Sequence, residues 1–192
     1  MAKNLIIVAL PEELGIEATA ELRGLCEVRF SGVGKLCAYE ATLEALLTER
    51  YDNIINVGTC GSSKYPFATL LHPGTVVQGD LYLDGPFSTP KIVIGTGDEG
   101  VAIVSGDNFI GEETHPAHLE RLKPYDCIDM EAYAIDKAIK LYSRLRNAEP
   151  PKLHLIKCVS DGADGALEDW VERAKTLRPI LLAATKELLS KL

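Results

Sequence analysis

Apolar residues along the chain fall in short continuous runs separated by glycine, proline and acidic clusters. Asn4-Leu5-Ile6-Ile7-Val8-Ala9-Leu10 has the pattern of a strand buried on both faces, and Pro11-Glu12-Glu13 follows at once. It reads as a central strand opening into an acidic loop. Cys26 to Phe30 is a second strand, after which Ser31-Gly32-Val33-Gly34-Lys35 turns into a helix ending near Arg50. In that helix Leu36, Tyr39, Leu43 and Leu46 recur at spacings of three and four, which predicts one core-facing stripe. Asn53 to Val57 is another apolar strand, closed by the glycine-rich turn Gly58-Thr59-Cys60-Gly61-Ser62-Ser63. Strand, helix and strand alternate as they do when a parallel sheet is built, so the fold class is α/β.

Between Leu70 and Ser105 the pattern changes to an added β section, with short strands at Thr75 to Gln78, Lys91 to Ile94 and Val101 to Val104. A short helix over 116–122, a brief strand at Cys127-Ile128 and a helix from about Glu131 to Leu145 follow, with Asp129 as N-cap of the latter. Asn147-Ala148-Glu149-Pro150-Pro151 is a loop and Leu153 to Val159 a strand. The rest is helical, with a start or kink at Pro179.

The 192 residues suit one domain, 1–192, with a core of its own. With 46% apolar and 25% charged residues the chain is an ordinary folded protein, neither disordered nor fibrous. Its net charge of −8 argues against a surface that neutralises nucleic-acid phosphates or anionic lipid. The Leu5–Leu10 run is too short to cross a bilayer and lacks a cleavage pattern. Five scattered cysteines without CxxC spacing indicate neither a disulfide framework nor a zinc site, so a reducing, cytoplasmic setting is expected.

Acidic residues stand where an open α/β sheet places its ligands: Glu12 and Glu13 after the first strand, Glu131 after Ile128, and Asp161 after Val159. Acids at helix starts are favoured by the macrodipole and are mostly solvated. Three converging on one sheet edge are worth more, because carboxyls in unlike environments can divide acid and base roles. Ser31-Gly32-Val33-Gly34-Lys35 lacks the spacing of a phosphate loop, so it is either a packing turn or a row of amides facing a ligand. Glu112, Glu113, His115 and His118 could be drawn as a metal cluster, but Pro116 breaks the helical spacing, and no metal is expected. His154 reads as a hydrogen-bonded core residue.

Five blocks, in order, resemble the nucleoside phosphorylase and nucleosidase superfamily, and within it the 5′-methylthioadenosine/S-adenosylhomocysteine nucleosidases. They are Ser31-Gly32-Val33-Gly34-Lys35, Ile55-Asn56-Val57-Gly58-Thr59-Cys60-Gly61, Ser105-Gly106-Asp107-Asn108-Phe109-Ile110, Asp129-Met130-Glu131-Ala132 and Val159-Ser160-Asp161-Gly162-Ala163-Asp164. The resemblance implies a three-layer α/β/α fold on a mixed, mostly parallel sheet, an N-glycosyl hydrolase acting on a 5′-modified purine nucleoside, no cofactor, and a homodimer. Asp161 would protonate N7 of the base, and Glu13 would activate the attacking water. Glu131 would receive the ribose hydroxyls and Met130 would pack on the sugar; Phe109 would stack on the base and Ile110 read its edge. Thr59, Ser160 and Trp170 would line the pocket.

Related phosphorylases carry a Gly-Asp-Pro-x-Arg type segment after the first strand, where this chain has Ala9-Leu10-Pro11-Glu12-Glu13. Unpaired acids there would repel phosphate by about a few kcal/mol, which favours water as nucleophile. The chain departs from the family in its direct passage from Cys26 to Ser31, its compact Gly79 to Gly100 segment, and Thr59-Cys60 where Ser and Ala are frequent. Three alternatives stay open: a futalosine hydrolase, a purine nucleoside phosphorylase using Arg23 or Arg50, and a nucleoside-binding module without catalysis.

Overall fold

The computed structural model describes residues 2–81, 91–111, 113–162 and 167–192. Nine strands and five helices follow in the order β1 (Asn4–Val8), α1 (Pro11–Arg23), β2 (Glu27–Phe30), α2 (Lys35–Thr48), β3 (Asn53–Gly61), β4 (Leu70–Leu71), β5 (Pro73–Gln78), β6 (Ile92–Val93), β7 (Asp98–Ser105), α3 (Pro116–Leu122), β8 (Cys127–Asp129), α4 (Ala132–Arg146), β9 (Lys152–Asp161) and α5 (Leu167–Leu189). All nine strands belong to one mixed sheet. β2, β1, β3 and β9 lie side by side in parallel, and β4 closes that end antiparallel to β9. At its last residue, Gly61, β3 also bridges Ile128 of β8, from which β7, β5 and β6 continue. The short strands of 70–105 are thus part of the main sheet rather than a separate section.

Alternation along the strands builds two apolar layers. Leu5, Ile7, Ile54, Leu153 and Leu155 pack with Ala38, Ala45 and Leu46 of α2 and Ile135 and Ile139 of α4. Ile6, Val8, Ile55, Val57, Ile156 and Cys158 pack with Leu14, Ala18 and Leu22 of α1 and Leu177, Leu181 and Ala184 of α5. The sheet therefore sits between two helical layers.

The structure corrects several sequence expectations. The acidic segment after β1 is no loop but the first turn of α1, with Pro11 preset for helix entry and Gly15 (φ 74°) breaking the helix after one turn. The buried face of α2 is Ala38, Thr42, Ala45 and Leu46, whereas Leu36 is 77% exposed: small residues let α2 approach the sheet and α4 more closely than a leucine stripe would. Gly58 to Gly61 is strand, because β9 pairs with β3 to its end. α5 runs through Pro179 without restarting, held by its buried Leu177 and Leu181. α4 begins at Ala132 with Glu131 in the cap position, although Asp129 still takes the Ala132 N–H on Oδ2 at 3.0 Å.

His115 caps α3 by accepting the Ala117 N–H on Nδ1, and half-buried His154 pairs with Asn53 Oδ1. Glu112, the 82–90 part of the compact segment, and Ala163 and Asp164 of the last sequence block lie outside the described residues. No helix among the described residues is long and apolar enough to cross a membrane.

Candidate active site

β1, β3, β8 and β9 end along one edge of the sheet, and one pocket opens there. Its lining includes Glu13, Thr59, Phe109, Ile110, Met130, Glu131, Ser160, Asp161 and Trp170, so all nine residues singled out in the sequence stand around it. Ala9, Leu10, Val33, Cys60, Gly61, Asn108, Ile128 and Asp129 complete the wall. Among the described residues the charged lining side chains, Glu13, Asp129, Glu131 and Asp161, are all acids.

Each acid is placed by a local feature of the chain. Glu13 reaches over the end of β3, where its Oε1 accepts the Thr59 N–H at 2.6 Å and the Thr59 hydroxyl at 3.0 Å; Oε2 accepts the Leu10 N–H at 3.3 Å. A Cβ on Gly58 would stand 2.7 Å from that Oε1, so any side chain at this strand position would push the Glu13 carboxylate away from the end of β3. Asp161 follows an irregularity in the pairing: Cys60 faces Val159 and Gly61 faces Asp161, which leaves Ser160 as an extra residue in β9. Such a bulge re-aims the side chains after it. The Ser160 hydroxyl donates to Asp161 Oδ2 at 2.7 Å. Glu131 is clamped from across the sheet edge by the Gly34 N–H, 3.0 Å from Oε1. The glycine turn before α2 thus offers its amides to the protein's own carboxylates, Gly34 to Glu131 and Lys35 to Asp107. The Lys35 ammonium bonds Gln78 and Asp80, and Asp80 Oδ2 accepts the Asp107 N–H, which ties down the segment leading to Phe109 and Ile110.

Beneath the pocket lies Lys157, a residue the sequence reading passed over. It occupies the β9 row of Leu153, Leu155 and Val159, is 1% exposed, and pairs with Asp129 Oδ2 at 2.8 Å. The signal was present as a lysine inside an otherwise apolar strand. Asp129, read only as a helix cap, also accepts the Ser105 hydroxyl on Oδ1 at 2.5 Å. Burial works against the Lys157 charge, but Asp129, Glu131 and Glu13 around it hold its ammonium above the ordinary lysine range. One cation cannot balance three buried carboxylates, which favours the protonated forms of Glu131 and Glu13. Burial, then the Asp129 charge, pushes Glu131 up to about 8. Burial also raises Glu13, against the opposing pull of the Thr59 N–H and Lys157.

No protein-family model and no curated protein sequence matches the chain. Solved structures do. A Helicobacter pylori 5′-methylthioadenosine/S-adenosylhomocysteine nucleosidase superposes with TM-score 0.78 at 17% identity, covering 100% of this chain and 99% of that one. The Neisseria meningitidis nucleosidase of the same name gives 0.76 at 19%, with full coverage of both chains. Futalosine hydrolase of H. pylori gives 0.79 at 18%, covering 100% of this chain and 98% of that one. The chain has the fold of these nucleosidases. The pocket at the strand ends therefore sits on a fold shared with these proteins at 17–19% sequence identity.

Two outcomes follow from the charge arrangement. Lys157→Met strands Asp129 as a buried unpaired charge and should cost about 3–5 kcal/mol in urea unfolding; adding Asp129→Asn should recover much of that loss. For the carboxyl with the raised pKa, the folded state binds more protons than the unfolded state between about 4.5 and about 8. Stability therefore declines as pH rises through that window and levels off above it. Glu131→Gln should flatten the decline, as read from urea midpoints between pH 5 and 8.5.

Proposed function

We propose that this protein hydrolyses the N-ribosidic bond of a 5′-modified purine nucleoside, releasing the free base. The observation that carries this reading is the meeting of Glu13, Glu131 and Asp161 in a pocket whose charged side chains, among the described residues, are all acidic. A bound nucleoside would lay its base against Phe109 and Ile110, with Asp161 donating a proton to N7 as the bond to the ribosyl carbon lengthens. Glu131, whose carboxyl burial pushes up to about 8, can donate as well as accept toward the ribose hydroxyls, and Met130 packs beside the sugar. Glu13 takes the proton of the water that adds to the ribosyl carbon.

Water is favoured over phosphate for a physical reason. A phosphorylase needs cations at its phosphate position, and four acids line this pocket with no arginine or lysine among the described lining residues. Retention of both Glu13 and Asp161 speaks against a binding module that has lost its chemistry. Futalosine hydrolase remains a second reading for the 5′-group, since its structure superposes as well as the methylthioadenosine nucleosidases do. No metal or organic cofactor is needed by this chemistry. We further read the chain as one cytoplasmic domain that pairs as a homodimer; the exposed apolar side chains of Val33, in the pocket lining, and Leu36, in the first turn of α2, suit such pairing.

Base release should be assayed on methylthioadenosine, S-adenosylhomocysteine, futalosine, inosine and adenosine, with and without phosphate. Free sugar formed at the same rate in both conditions is the expected result; a sugar 1-phosphate would make the protein a phosphorylase. Asp161→Asn and Glu13→Gln should each lower kcat by about 10²-fold or more. Glu13→Gln should still bind substrate, and near-normal turnover in either variant would reassign that role.

A further inference from the structure

The only tryptophan of the chain is wired to the base of the proposed reaction. Trp170 Nε1–H donates to Thr59 Oγ1 at 2.9 Å, and Thr59 Oγ1 stands 3.0 Å from Glu13 Oε1. An indole nitrogen can only donate, whereas a hydroxyl has a single proton. Trp170 therefore occupies a lone pair of Thr59 Oγ1 and leaves its proton directed at the carboxylate. Glu13 Oε1 is held by two donors of one residue, while Oε2 has, among the described residues, the single longer 3.3 Å bond from Leu10 N–H. We propose that Trp170 is a positioning residue for Glu13: acting through the Thr59 hydroxyl, it anchors Oε1 and leaves Oε2 as the oxygen that takes the proton from water.

The placement follows from the fold. Thr59 continues the β3 row of Ile55 and Val57, which faces α1 and α5, so Glu13 from α1 and Trp170 from α5 approach it from two helices. α5 is tied to the same region twice more, by Arg178 to the Glu12 carbonyl at 2.7 and 2.9 Å and by Arg173 to the Ser160 carbonyl at 3.4 Å. The charged groups around Glu13 are Lys157 on β9, Glu131 ahead of α4 and Asp129 on β8, with Asp161 across the pocket and Arg178 on the neighbouring carbonyl. None of them is altered by replacing the indole with a phenyl ring, and a donor to the ionised carboxylate lowers its proton affinity.

The role of Glu13 as base comes from the proposed function, so the test reads the relay in two ways. In the pH profile of kcat/KM, Trp170→Phe should move the acidic limb upward by roughly 0.5 pH unit, the scale of one weakened hydrogen bond. Thr59→Val should move it at least as far, Thr59→Ser should restore it, and Trp170→Phe should add nothing in the Thr59→Val background. A wall contact alone would lower kcat/KM equally at every pH. An unmoved limb in Trp170→Phe, or shifts that add in the double variant, overturns the proposal. The second reading needs no turnover: Trp170 emission in the free protein should show a pH transition that Glu13→Gln and Thr59→Val abolish. If that transition is found in a protein inactive on every nucleoside, the relay stands and the hydrolase reading falls. If the protein is active and the transition is missing or survives Glu13→Gln, the relay falls instead.

Discussion

The candidate site depends on one buried ammonium. Lys157 lies under the pocket floor, paired with Asp129 and within the field of Glu131 and Glu13. Removing a charge from water costs several kcal/mol even after relaxation, so a pair this deep persists only because each partner satisfies the other. Asp129 completes its shell with the Ser105 hydroxyl and the Ala132 N–H, so the same carboxylate joins β7, β8, β9 and the start of α4. With that anchor spent on Asp129, the remaining carboxyls share too little positive charge to stay ionised together. Burial raises the proton affinities of Glu131 and Glu13 in turn.

The sheet topology explains why these groups meet. β3 is paired along its length with β9 and along its first half with β1, so the ends of three parallel strands open at one edge, where the following segments can supply side chains. Each segment uses a different local device. After β1, Pro11 starts a helix at once and Gly15 ends its first turn, which leaves Glu13 on a short, separately aimed piece. In β9 the extra residue Ser160 re-aims Asp161. Between β8 and α4, the cap position carries Glu131 instead of a capping hydroxyl, and its carboxylate turns to Gly34 across the edge. All three stand at an end or an interruption of their element rather than in its regular interior.

Much of this was legible in the sequence because buried parallel strands write continuous apolar runs, and β1, β3 and β9 do so. The acids at their ends were legible too, since the chain must change from apolar to polar where the sheet meets its pocket. What escaped was tertiary. The α2 stripe drawn through Leu36 failed because close packing on α4 selects Ala38, Thr42 and Ala45, and helical spacing alone cannot tell a small buried residue from a small exposed one. Gly58 looked like a turn residue, yet its lack of a side chain makes room for Glu13, 45 positions earlier in the chain. Lys157 could not be interpreted without knowing that its row on β9 faces Asp129.

The same logic bears on how far sequences can drift on this fold. At 16–19% identity to solved nucleosidases, the chain still superposes on them with TM-scores of 0.76–0.79. A pocket made from strand ends needs only that the strands stay in register and that each end keeps its irregularity: a kink, a bulge, a cap. Those are set by a few glycines, one proline and the pairing of β3 with β9, while the apolar rows between them can exchange residues of similar volume at small cost. Substitution inside the pocket is more constrained, because a change in one donor alters the proton affinity of its neighbours. Thr59 and Trp170 show how such a change can be absorbed: the hydroxyl serves the carboxylate with its proton and the indole with its lone pair, so two residues far apart in sequence are constrained together.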